Sequence, residues 1–571
     1  MQDQEELTIQ RRSLLAYCSG AGLGATLFPG ALWAQTEEGK ADITIEMIDH
    51  AAKLAGLEFS AGDRERMLEG GCNNLSGFRS LHAMDIDQNV PPPLYFNPAV
   101  PGQVFDQTPG TFNAGAREKV TRPENLEAVA FWPVTALSGL VESRQVTATE
   151  LTRMYLDRIR RLDPLIRSVI TLTEERALKQ AENADEEIAA GRYRGLLHGI
   201  PWGAKDLLAT KGYRTTWGFK AYEDQIIDMD ATVVQRLDDA GAILIAKLST
   251  GEIARGDSWL GIQTRNPWNT EEGSGGSSAG PGAATAAGLV GFSIGTDTTG
   301  SILGPSRTCG ITGLRPTFGR VSRHGVMPVC WSLDKVGPMC RSVADCAIVF
   351  EAIYGPDGQD LAVVDKPFNY DGDASVDDIR AGYLRYAFER DANDDNRIAL
   401  QNDLASLDTL RDLGVDLVPV ELPEHADMDA LQMLLVDEAA AFDELLHNGN
   451  IDLFRQDIDE PEDTLMRIAR LHPAVEYLQI NRRRMLLMQG MAEIFDRIDV
   501  LVSPFDGSSV QSATSLTGHP SVAVQNGFGS DGTPTGFQII GQLYGEANAL
   551  GLARAYQQAT DFHGQYPPEF L

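Results

Sequence analysis

At 571 residues the chain is far longer than one buried core requires, and length alone permits two to four domains. Its 43% hydrophobic and 7% aromatic content is that of an ordinary globular protein, while 81 acidic against 48 basic residues leave a net charge of −33. Such a surface repels nucleic acid and anionic membrane, which need clustered cations, so neither is an expected partner.

The N-terminus reads as an export address. Arg11-Arg12 precedes Ser13-Leu14-Leu15 and a moderately apolar stretch ending at Ala34. A charged start, an apolar middle, a small residue before a cut and paired arginines describe a twin-arginine signal. Residues 1–34 are therefore expected to be cleaved from a folded protein that is periplasmic or secreted. The segment is long enough to span a bilayer. Its glycines, Pro29 and two serines make it only weakly apolar, so no stable membrane insertion is expected after removal of the signal.

Downstream, Met47, Ala51, Leu54 and Leu57 have helical spacing, and a Pro/Asn-rich loop runs from 89 to 115. Residues 42–122 read as an N-terminal helical arm with a Pro-rich loop, and 123–571 as the catalytic domain. Amphipathic helices are expected over 147–162 and 173–190. Helix and strand then alternate: a helix over 232–240, a strand over 242–248, a helix over 281–287 and a strand over 289–294. A loose Asp/Gly/Pro segment covers 355–377, followed by helices over 396–413, 427–446 and 474–498. Strands at 500–503 and 535–540 precede a last helix over 546–562. The alternation predicts an α/β architecture with helices covering a sheet. Cys18 lies in the leader, and Cys72, Cys309, Cys330, Cys340 and Cys346 form an odd, sparse set that reads as buried thiols with one disulfide at most. No CxxC pair, HExxH motif or histidine cluster occurs in the chain, so no metal site is expected.

Three residues carry the chemistry. Lys205 lies in GIPWGAKDL, Ser277 in GSGGSSAG 72 residues on, and Ser301 in GTDTTGSILGPS a further 24 on. A hydroxyl attacks an amide only if something takes its proton, and a lysine can do so without a histidine. The Gly/Ser run at 273–280 admits other readings: a flexible linker, a phosphate cradle, or a GxSxG nucleophile elbow with Ser278 as nucleophile. The cradle lacks GxxxxGK[ST]. The elbow requires a strand directly before it, where the sequence has the polar, turn-rich segment NPWNTEE. The second run, Thr296–Ser301, follows a plausible strand, and Gly300-Ser301 lets several N–H groups converge on one point. For Lys205, an ion pair with the adjacent Asp206 is the structural alternative.

The stretches GSGGSSAG, GTDTTGSI, CGITGLRPTFGRVSRHGV and WSLDKVGPMCRSVADC resemble the signature region of the amidase signature family. GIPWGAKDLL upstream resembles the family's lysine segment, and LTGHP and PTGFQ downstream resemble its C-terminal elements, so the likeness covers roughly 124–562. The resemblance implies a large mixed β-sheet sandwiched between helices, a small-molecule amide substrate and no cofactor. It assigns Ser301 as nucleophile, Ser277 as a bridging serine on a cis peptide, and Lys205 as general base. It places the oxyanion hole on the backbone N–H groups of Thr298, Thr299, Gly300 and Ser301, with Gly275 and Gly276 at the substrate. A homodimer is among the assemblies it allows. A base at neutral pH requires the lysine pKa to fall from ~10.4 by about 3–4 units, roughly 4–5 kcal/mol of desolvation and hydrogen bonding.

The chain departs from the family pattern near the nucleophile. Thr299 replaces the first glycine of a glycine-glycine-serine turn, and Leu303 replaces the usual arginine, with Arg307 a candidate for the displaced charge. A β-branched residue disfavours positive φ, so Thr299 requires either ordinary φ or an altered turn. Trp202, Trp259, Met327 and Trp331 are candidate pocket walls. The expected function is an exported, stand-alone amidase acting on amides, and on anilides or esters. The alternatives are a non-catalytic binding protein of the same family and a glutaminase-type amidotransferase subunit.

Overall fold

The computed structural model describes residues 43–54, 56–68, 94–117, 119–393, 396–426, 436–455, 462–505 and 508–571. The expected export signal, Cys72 and the 427–435 part of the expected 427–446 helix lie outside them. Contacts divide the chain into two compact units, Met1–Val90 with Leu471–Ala474, and Pro91–Arg470 with Val475–Leu571. In the smaller unit the expected helix forms over Ile45–Leu54. Residues 94–117 of the expected arm fall in the larger unit, where Asn113 N–H donates to the Tyr370 carbonyl at 2.9 Å.

Among the described residues, the larger unit has fifteen strands. In chain order they are β1 (Val169–Leu172), β2 (Pro201–Lys205), β3 (Ile243–Leu248), β4 (Ser258–Trp259), β5 (Ile262–Gln263), β6 (Arg265–Asn266) and β7 (Asn269–Gly273). They continue with β8 (Phe292–Asp297), β9 (Thr312–Arg315), β10 (Lys335–Cys340), β11 (Ala381–Leu384), β12 (Leu417–Val420), β13 (Val500–Pro504), β14 (Ser521–Phe528) and β15 (Pro534–Gly541). Eleven form one sheet in the order β1-β3-β2-β8-β10-β9-β14-β15-β13-β11-β12, while β4-β5 and β6-β7 are small ribbons. The sheet is mixed: β2 runs parallel to both β3 and β8, and β10 antiparallel to β8 and β9. With helices packed on it, this is the α/β architecture expected.

In one long helix, sequence periodicity and a cap agree. Ala148–Ile166 buries Leu151, Tyr155, Leu156 and Ile159 on one stripe and begins with a reciprocal cap between Thr147 and Glu150. Two strands matter most for function, and both differ from expectation. β2 is hidden in the sequence because GIPWGAK carries a proline and two glycines; Pro201 is the first strand residue, where no ladder N–H is missed, and all five residues are buried. β8 starts three residues later than the apolar run 289–294 and extends into polar Gly295-Thr296-Asp297. Parallel β2 and β8, paired through Ala204 and Ile294, therefore end side by side at Lys205 and at Thr296-Asp297. The carboxyl ends of parallel strands are where α/β sheets place their ligands.

Cys309, Cys340 and Cys346 are free and buried, and Cys330 is buried. Among the described residues, no helix is long and apolar enough to cross a membrane.

Candidate active site

Lys205 closes β2 with its side chain fully buried. Its Nζ donates to Ser277 Oγ at 2.8 Å and to Thr296 Oγ1 at 2.8 Å. Burial pushes its pKa from 10.5 down to about 7, opposed by the negative charges of Asp297 and Asp334. Asp206 is not its partner. That carboxylate pairs with the buried Lys247 at 2.7 Å and accepts from the Thr216 N–H and hydroxyl at 2.8 and 2.6 Å. The ion-pair alternative for Lys205 is thus occupied by another lysine, leaving the Lys205 amine on two hydroxyls.

Ser277 follows a cis peptide bond from Gly276. A Cβ on Gly276 would lie 1.9 Å from the Gly256 carbonyl oxygen, so the close passage of these two backbones requires glycine there. The elbow reading of Ser278 fails, for a different reason than the sequence indicated. A strand does precede the run, but β7 belongs to the two-stranded ribbon with β6 and not to the main sheet. The Ser278 hydroxyl is committed to the Thr296 backbone, donating to its carbonyl at 3.0 Å and accepting from its N–H at 3.2 Å.

Ser301 sits on the turn between β8 and the helix Leu303–Cys309. Its carbonyl accepts from the Ser278 N–H at 3.1 Å, which ties the two serine segments together. Its hydroxyl makes no hydrogen bond to the described residues, so the structure joins Lys205 to Ser277 directly and brings Ser301 beside them through the backbone. Asp297 organises the turn: its carboxylate accepts from Gly300 N–H at 2.8 Å and Ile302 N–H at 2.9 Å, and stands 3.7 Å from the buried Arg315 guanidinium. The Gly300 N–H, expected in the oxyanion hole, is therefore directed at Asp297. The N–H groups of Thr298, Thr299 and Ser301 meet no acceptor among the described residues.

The conflict at Thr299 resolves in favour of ordinary φ. The positive φ of the turn falls on the retained Gly300, at +120°, against which the Gln511 side chain packs. Gln511 Nε2 donates to the Thr299 carbonyl. Leu303 is buried, and Arg307 lies exposed in the last turn of the helix that Ser301 precedes, so it does not replace the missing arginine. Trp202 stacks on Phe292 in the core, and Trp259 and Met327 are also buried. Gln511, Thr296, Asp297 and Asp334 were missed from sequence. The last three lie inside recognised motifs, but only strand register shows which of their side chains meet. A groove of about 870 Å³ lined by Phe105, Asn369, Glu493, His519 and Tyr544 contains none of Lys205, Ser277 and Ser301.

A sheet ending in a buried amine on a serine hydroxyl, beside a second serine on a turn rich in N–H donors, fits the amidase-signature hydrolase superfamily. The comparisons agree: residues 150–550 match the Amidase family, to which the chain belongs. Similar proteins include a glutamyl-tRNA(Gln) amidotransferase subunit from Methylococcus capsulatus, 35% identical over 478 residues, covering 76% of this chain and 97% of that protein. Its counterpart from Geobacter metallireducens is 34% identical, covering 75% and 97%. Among solved structures, the native peptide amidase from Stenotrophomonas maltophilia aligns with a TM-score of 0.68 and 31% identity, over 76% of this chain and 98% of that one.

Proposed function

We propose that this chain cleaves carboxylic amides through an acyl-enzyme on Ser301. The observation that carries the reading is the buried Lys205–Ser277 contact of 2.8 Å, with the lysine held near neutrality. Neutral Lys205 takes a proton from Ser277 as Ser277 takes one from Ser301, and the Ser301 oxygen forms its bond to the substrate carbonyl carbon. Negative charge develops on the carbonyl oxygen, for which the N–H groups of Thr299 and Ser301, with Thr298, are the donors. The proton returns along the same path to the leaving nitrogen, the C–N bond breaks, and water repeats the attack on the ester. Gly275 and Gly276, in the run that carries Ser277, are retained as candidate substrate contacts.

The amidotransferase relatives support glutamine as the amide cleaved, in a glutaminase-type subunit, more strongly than the comparisons support the stand-alone amidase expected from sequence. A stand-alone enzyme draws support from the peptide-amidase likeness, the charge of −33 and the Arg11-Arg12 segment. One panel tests both: glutamine, peptide C-terminal amides, anilides and esters, offered to wild type and Ser301→Ala. Glutamine turnover that rises on adding amidotransferase partner subunits identifies the first setting. Turnover of peptide amides or anilides by the chain alone identifies the second, and no Ser301-dependent turnover overturns the amidohydrolase reading.

A further inference from the structure

Lys335 opens β10, and the β8–β10 register sets it directly opposite Asp297. Residues so paired share a face of the sheet, which brings the lysine to the strand end carrying the nucleophile turn. It is only 2% exposed, and its Nζ donates to the Thr298 carbonyl at 3.3 Å. The preceding residue holds the same threonine by its other polar end: Asp334 Oδ1 accepts from the Thr298 hydroxyl at 2.7 Å, while Oδ2 accepts from Val329 and Cys330 N–H at 2.8 and 2.9 Å. Burying a second amine is unfavourable, and the amide-cleaving cycle described above makes no use of it.

The peptide unit between Thr298 and Thr299 has Lys335 at its oxygen and the Thr299 N–H at its nitrogen. A donor on a peptide oxygen draws electron density from the nitrogen, so the N–H becomes a stronger donor. We propose that Lys335 is a positioning residue for the oxyanion hole, acting through the Thr298 carbonyl to orient and polarise the Thr299 N–H toward the oxygen that turns negative when Ser301 attacks. Lys335 transfers no proton and forms no covalent bond. The inference rests on the proposed amide-cleaving function.

The charged groups facing Lys335 are Arg315 on β9, Asp297 on β8, Asp334 beside it and Arg484 on the helix Ala474–Phe495. Burial first, then Arg315 and Arg484, push its pKa to about 7 against the two carboxylates. The charged amine polarises more strongly, so its assistance is full below about pH 7 and fades as pH rises. Lys205 acts only when neutral, so its contribution grows through the same range. An acid limb from Lys205 and an alkaline limb from Lys335 result.

The test uses full-length Lys335→Met and Lys335→Gln, with kcat, KM and the rate of fluorophosphonate labelling at Ser301 followed from about pH 5.5 to 9.5. Lys335→Met is expected to lower kcat and labelling about tenfold with KM little changed, and to lose the alkaline limb. Lys335→Gln, an uncharged donor, is expected to recover part of the rate without restoring that limb. Folded variants with wild-type kcat or an unchanged alkaline limb overturn the inference, as does failure of both variants to fold. Absence of Ser301 labelling in wild type removes the amide-cleaving reading itself, whereas normal wild-type labelling with indifferent Lys335 variants removes this inference alone.

Discussion

Replacing Lys205 with methionine separates the energetic burden of the buried amine from its use. The fall in its pKa from 10.5 to about 7 corresponds, at ~1.36 kcal/mol per pKa unit, to about 5 kcal/mol against the charged form in the folded protein. The folded value lies below the unfolded one, which sets the sign. Below about pH 7 both states are protonated and the folded state carries the whole penalty. Between about 7 and 10.5 the unfolded chain binds the extra proton, so stability rises with pH, and above 10.5 the penalty is gone. Methionine keeps the chain length and removes the amine, at the loss of two hydrogen bonds to Ser277 and Thr296 worth roughly 1 kcal/mol each. Lys205→Met is thus expected to be more stable than wild type by about 2–3 kcal/mol near pH 6, with the advantage gone near pH 10. Urea midpoints of the two proteins at both pH values measure this, beside initial rates on the best amide substrate. A variant less stable than wild type at pH 6, with a difference that does not change with pH, refutes the desolvation argument. A variant that keeps a tenth of wild-type turnover refutes the role of general base.

Other substitutions probe the neighbouring parts. Ser301→Ala is expected to abolish fluorophosphonate labelling and lower kcat at least about 10³-fold, whereas Ser278→Ala, which loses only its bonds to the Thr296 backbone, keeps labelling and loses about 1–2 kcal/mol of stability; peptide mapping of the labelled site separates them. Gly300→Ala places a Cβ 1.5 Å from Gln511 Nε2 at φ +120° and should lower kcat about 100-fold. Adding Gln511→Ala to it relieves the clash but not the backbone strain, so only partial recovery in rate assays is expected. Asp206→Asn leaves Lys247 buried without its carboxylate and should cost about 3–5 kcal/mol in thermal or urea unfolding, while Ser301 labelling of the remaining folded protein persists.

The segments that carry Lys205, Ser277 and Ser301 are legible because they combine unusual composition with fixed order and spacing. The long amphipathic helices were legible because 3.6-residue periodicity survives in sequence, as at Ala148–Ile166 and Glu174–Ala189. Strands buried on both faces lose their alternation, so β2, β9 and β10 gave no period to read. The commitment of the Gly300 N–H was not legible either. It depends on Asp297, three residues earlier, turning its carboxylate back into the turn, and nothing in GTDTTGS distinguishes that from a solvated aspartate. In the sequence Lys335 is only one letter of a signature stretch, because its contact with Thr298 arises from cross-strand register.

The placement of lysine gives these observations a common physical basis. Only ten of the 48 cationic residues are lysines, yet Lys205, Lys247 and Lys335 are all buried, although lysine is among the residue types least often buried. An arginine would keep its charge in such surroundings and match a carboxylate with two parallel hydrogen bonds, as Arg323 does with Asp360. An amine instead loses its proton when desolvated, and presents a compact donor to a single oxygen. Lys247 meets a carboxylate directly. Lys205 and Lys335 meet only hydroxyl or carbonyl oxygens, and are displaced to about 7 with Asp297 and Asp334 opposing the displacement in both. The same two carboxylates grip the Ser301 turn, Asp297 through Gly300 and Ile302, Asp334 through Thr298. Two acids therefore both shape the turn and oppose the discharge of two buried amines, which on the proposed function ties the geometry of the Ser301 turn to the protonation state of Lys205.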